Sequence, residues 1–217
     1  MYEFLPVENT PKKGVQKMSE HYFSEKPEVE SNRRKIECTL RNHPFAFMTD
    51  RGVFSKREVD FGTQLLIETF AAPEIPGDIL DVGCGYGPIG LSIAKSEPDR
   101  MIDMIDINER AVELAELNAR INNIQNVRVF QSNLFENLEG KWYAAILANP
   151  PIRAGKQVVH HIFEKSFDHL KDHGELWIVI QKKQGAPSAK QKLETLFRSV
   201  EVAERKKGYY IFKAKKD

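Results

Sequence analysis

The sequence predicts a doubly wound, mostly parallel α/β sheet with helices on both faces, and three observations carry that prediction. From Gly77 onward, short apolar runs of strand length alternate with segments of helical spacing. The first of these runs enters a glycine-rich turn that opens a helix. The last two runs, Val200–Ala203 and Tyr209–Phe212, are joined only by residues 204–208, too short for a crossover helix, so they close as an antiparallel hairpin.

The elements follow in order. Residues 1–17 contain two prolines and a glycine with little periodicity, and read as a flexible leader. Met18 is a candidate initiator behind it. Residues 18–56 are expected to form an N-terminal extension and 57–217 the catalytic domain. Within the extension, Ile36–Leu40 and Phe45–Met48 are β-prone runs separated by the turn Arg41-Asn42-His43-Pro44. A helix is expected from Lys56 to Phe70, with Val59, Leu66 and Phe70 among its apolar positions, ended by Pro73, Pro76 and Gly77. Strands follow at Ile79–Val82, Met101–Ile105, Val127–Phe130, Ala144–Ala148 and Leu176–Ile180. The helices between and after them are Pro88–Lys95, Glu109–Asn122, Val158–Leu170 (stopped by His173-Gly174) and Ala189–Phe197.

Composition narrows the class. At 217 residues with 41% hydrophobic and 29% charged side chains, the chain can bury a core without a disulfide or metal. Cys38 and Cys84 form no CxxC pair, which argues against a zinc site and suits a reducing cytoplasm. No apolar run approaches the ~20 residues of a membrane span, and no apolar segment opens the chain as a signal peptide. Net charge is +1, but its distribution is uneven. Residues 61–150 carry 6 basic and 13 acidic side chains, whereas residues 151–217 carry 15 basic and 8 acidic. A basic C-terminal third beside an acidic middle is what a polyanionic partner would meet, although a merely uneven solvated surface gives the same count.

Chemistry concentrates at two strand ends. The turn after Ile79–Val82 has Gly83, Gly85 and Gly87 at every second position, preceded by Asp81. Such glycines let the backbone pass close to a ligand. An anion before the loop disfavours a pyrophosphate and suits an amine-bearing ligand. Gly85-x-Gly87-x-x-Gly90 also fits the dinucleotide pattern, and Asp106, 19 residues past Gly87, would accept ribose hydroxyls in either case. The second strand end is Asn149-Pro150-Pro151-Ile152. A conjugated amine is a poor nucleophile because its lone pair is delocalised. Two fixed acceptors, the Asn149 side-chain oxygen and the Pro150 carbonyl, would grip its N–H bonds and stabilise the charge that develops on nitrogen. The prolines lock φ and hold that geometry.

Asp81-x-Gly83-x-Gly85-x-Gly87 resembles motif I of the class I S-adenosylmethionine-dependent methyltransferases. The resemblance implies a seven-stranded Rossmann-like fold and S-adenosylmethionine as cofactor. In that reading Asp81, Gly83, Cys84, Gly85 and Gly87 surround its amino-acid end, Asp106 and Ile107 its ribose, and Asn133 and Leu134 its adenine. Asn149–Ile152 resembles the (D/N/S)-P-P-aromatic signature of amino-methyltransferases, departing from it at Ile152, where the usual aromatic would stack on the target base. Phe54-Ser55, Asp60-Phe61-Gly62-Thr63, Leu65-Leu66 and His21-Tyr22-Phe23-Ser24 are similar to stretches of the small-domain ribosomal-RNA guanine-N2 methyltransferases, a resemblance spanning roughly residues 20–213. It implies that Phe54, Ser55 and Thr63 form a lid and wall over the cofactor, and that the substrate is small-subunit ribosomal RNA. Arg153, Lys156, Lys182 and Lys183 are the candidate phosphate contacts, with no metal and no membrane involved. A protein-glutamine methyltransferase, with its own Asn-Pro-Pro signature, and a non-catalytic RNA-binding module are the alternative readings. Cys84, inside the loop, reads as packing rather than as the nucleophile of a C5-pyrimidine methyltransferase.

Overall fold

A computed structural model describes residues 30–53, residue 55 and residues 57–217. The leader, His21–Ser24, Phe54 and Lys56 lie outside the described residues.

The chain forms β1 (Arg34–Leu40), β2 (His43–Thr49), α1 (Phe61–Thr69), β3 (Ile79–Val82), α2 (Pro88–Ser96), β4 (Ile102–Asp106), α3 (Glu109–Ile121), β5 (Val127–Gln131), β6 (Tyr143–Ala148), α4 (Lys156–His169), β7 (Leu170–Gln181), α5 (Ala186–Leu196), β8 (Ser199–Lys206) and β9 (Tyr209–Lys215). Seven strands make one sheet in the order β5-β4-β3-β6-β7-β9-β8. β3, β4, β5, β6 and β7 run parallel, and β9 is antiparallel to both β7 and β8. The strand order reverses between β3 and β6, so the carboxyl ends of those two strands flank a crevice.

Strand alternation sorts the core into two clusters, one on each face. Ile79 of β3 packs with α1, α2 and α3, whereas Leu80 and Val82 pack with α4 and α5. That period of two also turns Asp81 toward the α1–α3 face.

Several boundaries differ from expectation, β7 most of all in starting at Leu170 rather than Leu176, and three of the differences have a plain local reason. The first helix begins at Phe61 rather than Lys56, because Asp60 is its N-cap and accepts from the backbone N–H groups of Gly62 (3.0 Å) and Thr63 (3.2 Å). α4 stops at His169 rather than Leu170. The chain then enters β7 through a register shift opposite Tyr143 and Ala145, with His173 at φ +64. α5 begins at Ala186, a turn earlier than its apolar spacing suggested, since Pro187 sits in the first turn where no N–H partner is lost.

The β1–β2 hairpin turns at Arg41 and Asn42, both at positive φ (49 and 62), the geometry of a tight two-residue turn. Arg41 reaches past the turn to the carbonyls of Ile67 (3.0 Å) and Phe70 (2.7 Å) at the end of α1. The hairpin forms its own two-stranded sheet, yet Leu40, Phe45 and Phe47 are buried in the α1–α3 cluster. The free edge of β2 is closed by two side chains rather than by a strand. Asn118 accepts from Met48 N (2.7 Å) and donates to Met48 O (2.9 Å); Asn122 does the same to Ala46 (3.0 and 2.8 Å). Four residues of helix rise ~6 Å and two residues of strand ~6.8 Å, so Asn118 on α3 and Asn122 at its C-cap match alternate residues of β2. Asn118 also donates to Tyr86 O (2.8 Å) in the glycine turn. Asn118→Ala strands three backbone groups, the buried Tyr86 carbonyl and the half-buried N–H and carbonyl of Met48. It is expected to lower unfolding free energy by about 3–5 kcal/mol, read as a shift of the urea midpoint at constant slope.

Candidate active site

The turn after β3 is held by its neighbour: Gly83 N and Cys84 N both donate to Ile105 O, at 2.9 Å each. Gly83 (φ +74) and Gly85 (φ +57) adopt left-handed backbone, and a Cβ on either would meet no atom within 4 Å. They border open space. Gly87 and Gly90 are different, since a Cβ there would stand 3.0 Å or less from the Met104 side chain. Gly87, which motif I groups with the cofactor glycines, therefore caps and seats α2 against β4. The Cys84 side chain is also turned inward. It is buried in the core, and burial, reinforced by Asp106 and Asp81, pushes its thiol well above the ordinary range, the opposite of an activated nucleophile.

Two carboxyls underlie this cradle. Asp81 is 1% exposed; its Oδ2 accepts from Gly90 N (2.9 Å), and its buried Oδ1 has no partner among the described residues. Burial raises its pKa to about 7, opposed by the Gly90 hydrogen bond and helped by the Asp106 charge. Asp106, half-buried at the end of β4, accepts from Gly85 N and Asn108 N, both at 2.9 Å. Burial raises its pKa too, against the hydrogen bonds from Asn108, Gly85 and Ile107. A buried carboxyl oxygen without a partner is costly unless a donor or cation arrives. The glycine turn that opens next to these two carboxyls leaves room for a ligand, and the acceptors present suit an ammonium near Asp81 and hydroxyls near Asp106.

The segment before α1 arches over this turn. Asn108 Nδ2 donates to Gly52 O (3.0 Å), Arg110 Nη1 to Arg51 O (2.8 Å) and the Tyr86 hydroxyl to Ser55 O (3.5 Å). Ser55 thus stands over the loop, and Phe54 lies outside the described residues. Asn108, Arg110 and Tyr86 were missed by sequence reasoning. Only Asn108 left a signal, as an N-cap type before Glu109. On the other side, Ile107 is half-buried and its carbonyl accepts from Gln131 (2.8 Å). Asn133 is exposed and its amide donates to Glu136 (2.8 Å), the turn role open to any Asn; Leu134 follows at φ +50.

Ala148 pairs with Val82, which puts Asn149 beside Gly83 across the crevice. The Asn149 amide nitrogen donates to Thr63 Oγ1 (2.9 Å). Among the described residues no donor reaches Asn149 Oδ1 or the Pro150 carbonyl, whereas the Pro151 and Ile152 carbonyls accept from Ala154 and Gly155 in a short 3-10 turn. Pro150 is buried and Ile152 packs on the α4–α5 cluster. The turn therefore leaves two neighbouring acceptors free. Thr63, expected over the cofactor, is buried with its hydroxyl on the Asn149 amide.

Antiparallel pairing brings Tyr209 opposite Gln181, and Lys182 N donates to Gly208 O (2.7 Å). The 182–184 turn and the β8–β9 tip therefore share the ligand end of the sheet. Lys182, Lys183, Arg205, Lys206 and Lys207 are exposed there, interleaved with aromatics: Arg205 lies over Tyr210 (5.0 Å), Lys207 over Phe61 (4.7 Å), and Phe61 against Tyr209 (5.7 Å). Arg153 and Lys156 are exposed after the Asn149 turn. Among the described residues no group of three or more His, Cys, Asp or Glu is placed to hold a metal, and no helix is long and apolar enough to cross a membrane.

A seven-stranded sheet ending in an antiparallel hairpin, with a glycine cradle and an acid on adjacent strands, is the Rossmann-like methyltransferase fold. The family described as "Methyltransferase small domain" matches residues 44–213, and the chain belongs to it. It is 64% identical over 200 residues to the protein YbxB of Bacillus subtilis (strain 168), covering 92% of this chain and 100% of that one. It is 34% identical over 156 residues to ribosomal RNA small subunit methyltransferase C of Aeromonas hydrophila, covering 70% of this chain but 44% of that enzyme. Among solved structures it resembles the T. thermophilus 16S rRNA N2 G1207 methyltransferase (RsmC) in complex with AdoMet and guanosine, with a TM-score of 0.76 at 22% identity, over 88% of this chain and 52% of that one. The chain thus spans about half the length of these named enzymes.

Proposed function

We propose that this protein is an S-adenosylmethionine-dependent N-methyltransferase whose substrate is the exocyclic amine of a guanine in small-subunit ribosomal RNA. The observation that carries the reading is the pair of free acceptors, Asn149 Oδ1 and Pro150 O, at a strand end next to the glycine cradle. Residues 57–217 form the catalytic unit, with Gly52 and Ser55 before it lying over the glycine loop.

Bound S-adenosylmethionine supplies an electrophilic methyl on a cationic sulfur. Asp81, with one carboxyl oxygen unpartnered, would hold the ammonium end, Asp106 would keep lone pairs for the ribose hydroxyls, and Ser55, tied to the Tyr86 hydroxyl, would cover the loop. Asn149 Oδ1 and Pro150 O accept the two N–H bonds of the target amine and aim its lone pair at the methyl. Transfer would break the methyl–sulfur bond and leave S-adenosylhomocysteine as the neutral thioether, while Asn149 Oδ1 and Pro150 O would stabilise the positive charge gained by nitrogen and one N–H proton would pass to water. Neither acceptor is a base at neutral pH. Ile152 gives the base an aliphatic contact in place of a stacking ring.

The charge split along the chain supports the partner. The acidic middle builds the β3–β4–β5 side, and the basic third builds the β7–β9–β8 side, where cations alternate with aromatics. Charge reversal at Lys182 and Lys183 is expected to weaken RNA binding, flatten its salt dependence by a slope of about 2 and spare S-adenosylhomocysteine affinity. Filter binding across a salt series reads the first two, and calorimetry the third.

The deciding experiment is methylation with radiolabelled cofactor of naked ribosomal RNA, small-subunit particles and a release-factor-like protein in parallel. Label on guanine N2 of the RNA is the expected result. Label on a glutamine amide moves the assignment to protein methylation, and cofactor binding with RNA binding but no transfer reduces it to a binding module.

A further inference from the structure

We propose that Gln181 reads the target base: its side-chain amide takes the N1–H and O6 of the guanine while the Asn149 turn holds the exocyclic amine. The inference rests on the amine-methylation reading above and names what selects the base.

Strand register brings the two amides together. Ala148 pairs with Ile178, so Asn149, just past the end of β6, is level with Val179 on β7. Gln181 closes β7 two residues further toward the ligand end. Side chains alternate along β7: Ile178 and Ile180 pack with α4 and α5, whereas Trp177 and Val179 pack with α1, α2 and α3. Gln181 therefore stands on the α1–α3 face, where Asn149 also meets Thr63 of α1. Neighbouring strands lie ~4.8 Å apart and two residues of strand rise ~6.8 Å, which sets the Asn149 and Gln181 Cα atoms about 8 Å apart. One base edge laid across the tips of two amides at that spacing meets one with its amine and the other with the rest of its edge.

The Gln181 amide is free for this task. Its backbone is pinned by pairing with Tyr209 and by the bond from Lys182 N to Gly208 O (2.7 Å). Its half-buried side chain does not cap the 3-10 turn that follows, and among the described residues no group hydrogen-bonds the amide. Tyr209, directly opposite on β9, lies against Gly62 and Phe61 and gives the amide an apolar flank, where a hydrogen bond counts for more than in water. Lys182 and Lys183 follow directly and are exposed, which puts cations for the phosphates next to the group that reads the base.

Polarity along the base edge supplies the selectivity. An amide offers one acceptor and one donor side by side. Along its Watson–Crick edge from the amine, guanine presents N1–H and then O6, a donor and then an acceptor, so the amide makes two hydrogen bonds. With its amine held in the same way, adenine presents N1 and then a C–H, and cytosine presents two acceptors. Whichever way the amide turns, only its NH2 end finds a partner on those bases.

Nucleoside titration of the S-adenosylhomocysteine-loaded protein tests the proposal, read by saturation-transfer NMR with guanosine, inosine and adenosine as probes. The parent should favour guanosine over adenosine by about tenfold. Gln181→Leu should weaken guanosine binding about tenfold and erase that preference. Gln181→Glu should do the same, since a carboxylate accepts N1–H but faces O6 with a second acceptor. Inosine lacks the amine and keeps N1–H and O6, so Gln181→Leu should cost it the same factor as guanosine. On the best RNA substrate both variants should lower kcat/KM by about 10- to 100-fold. S-adenosylhomocysteine affinity and the unfolding midpoint should stay constant, and a merely structural role would move them.

A parent that fails to favour guanosine over adenosine would overturn the proposal, as would a guanosine or inosine affinity that Gln181→Leu leaves unchanged. If the parent transfers methyl to no RNA while guanosine selectivity follows Gln181, the amine-methylation reading has failed and the base site stands.

Discussion

Asn149→Ala is expected to slow the single-turnover rate by about 10²–10³, the cost of removing one pre-oriented partner of a developing charge. The side chain follows the last residue of β6, is half-buried, and makes one hydrogen bond, to Thr63. Its loss therefore removes little from the core, and the unfolding midpoint should move by less than about 1 kcal/mol equivalent. The acceptor matters most when nitrogen becomes cationic, so the effect should fall on turnover and leave RNA affinity nearly unchanged. A variant with normal turnover would reduce Asn149–Ile152 to an ordinary turn and remove the main support for amine methylation.

Affinity for S-adenosylhomocysteine is expected to depend on pH through Asp81. In the ligand-free protein burial holds this carboxyl's pKa at about 7, against an ordinary value of 3.8. A ligand ammonium favours the carboxylate, so binding below pH 7 releases a proton. Affinity should then fall by about tenfold for each pH unit below 7, or on the order of thirtyfold between pH 7.5 and 5.5. Asp81→Asn should bind more weakly at pH 7.5 and lose the slope. The same shift acts on the ligand-free protein with a definite sign. The folded state binds the extra proton between pH 3.8 and about 7. The stability that this proton contributes is present below that window and is lost as pH rises through it. Thermal melts of the two proteins should therefore converge toward low pH. Calorimetry at three pH values checks the binding slope, and a wild-type affinity that is flat from 5.5 to 7.5 would detach Asp81 from the ligand.

Much of the frame was legible because it is local. β3 was read to the residue, and α2 to within one, since an apolar tetrad, a glycine turn and a proline at a helix start are short-range signals. The start of α1 was missed because Val59 and Phe70 suggested a longer apolar face, while the Asp60 side chain competed for the first free N–H groups and won. The glycines looked alike as letters. Only their surroundings separated Gly83 and Gly85, which border open space, from Gly87 and Gly90, which abut Met104.

The sequence by itself determined the doubly wound sheet, the order of its strands along the chain, and the two strand ends where chemistry gathers. Hydrophobic period and turn residues act over a few positions, so they can be read without the fold. Tertiary structure alone decided which partner each polar group finds: Thr63 with Asn149, Asn118 with the edge of β2, Asn108 with Gly52, and Asp81 with one oxygen left unpaired. These contacts join residues 56 to 86 positions apart, apart from the orphaned carboxyl, which is defined by what fails to reach it. A hydrogen bond depends on angstroms and desolvation rather than on spacing along the chain, and those are set only when the two faces of the sheet are packed.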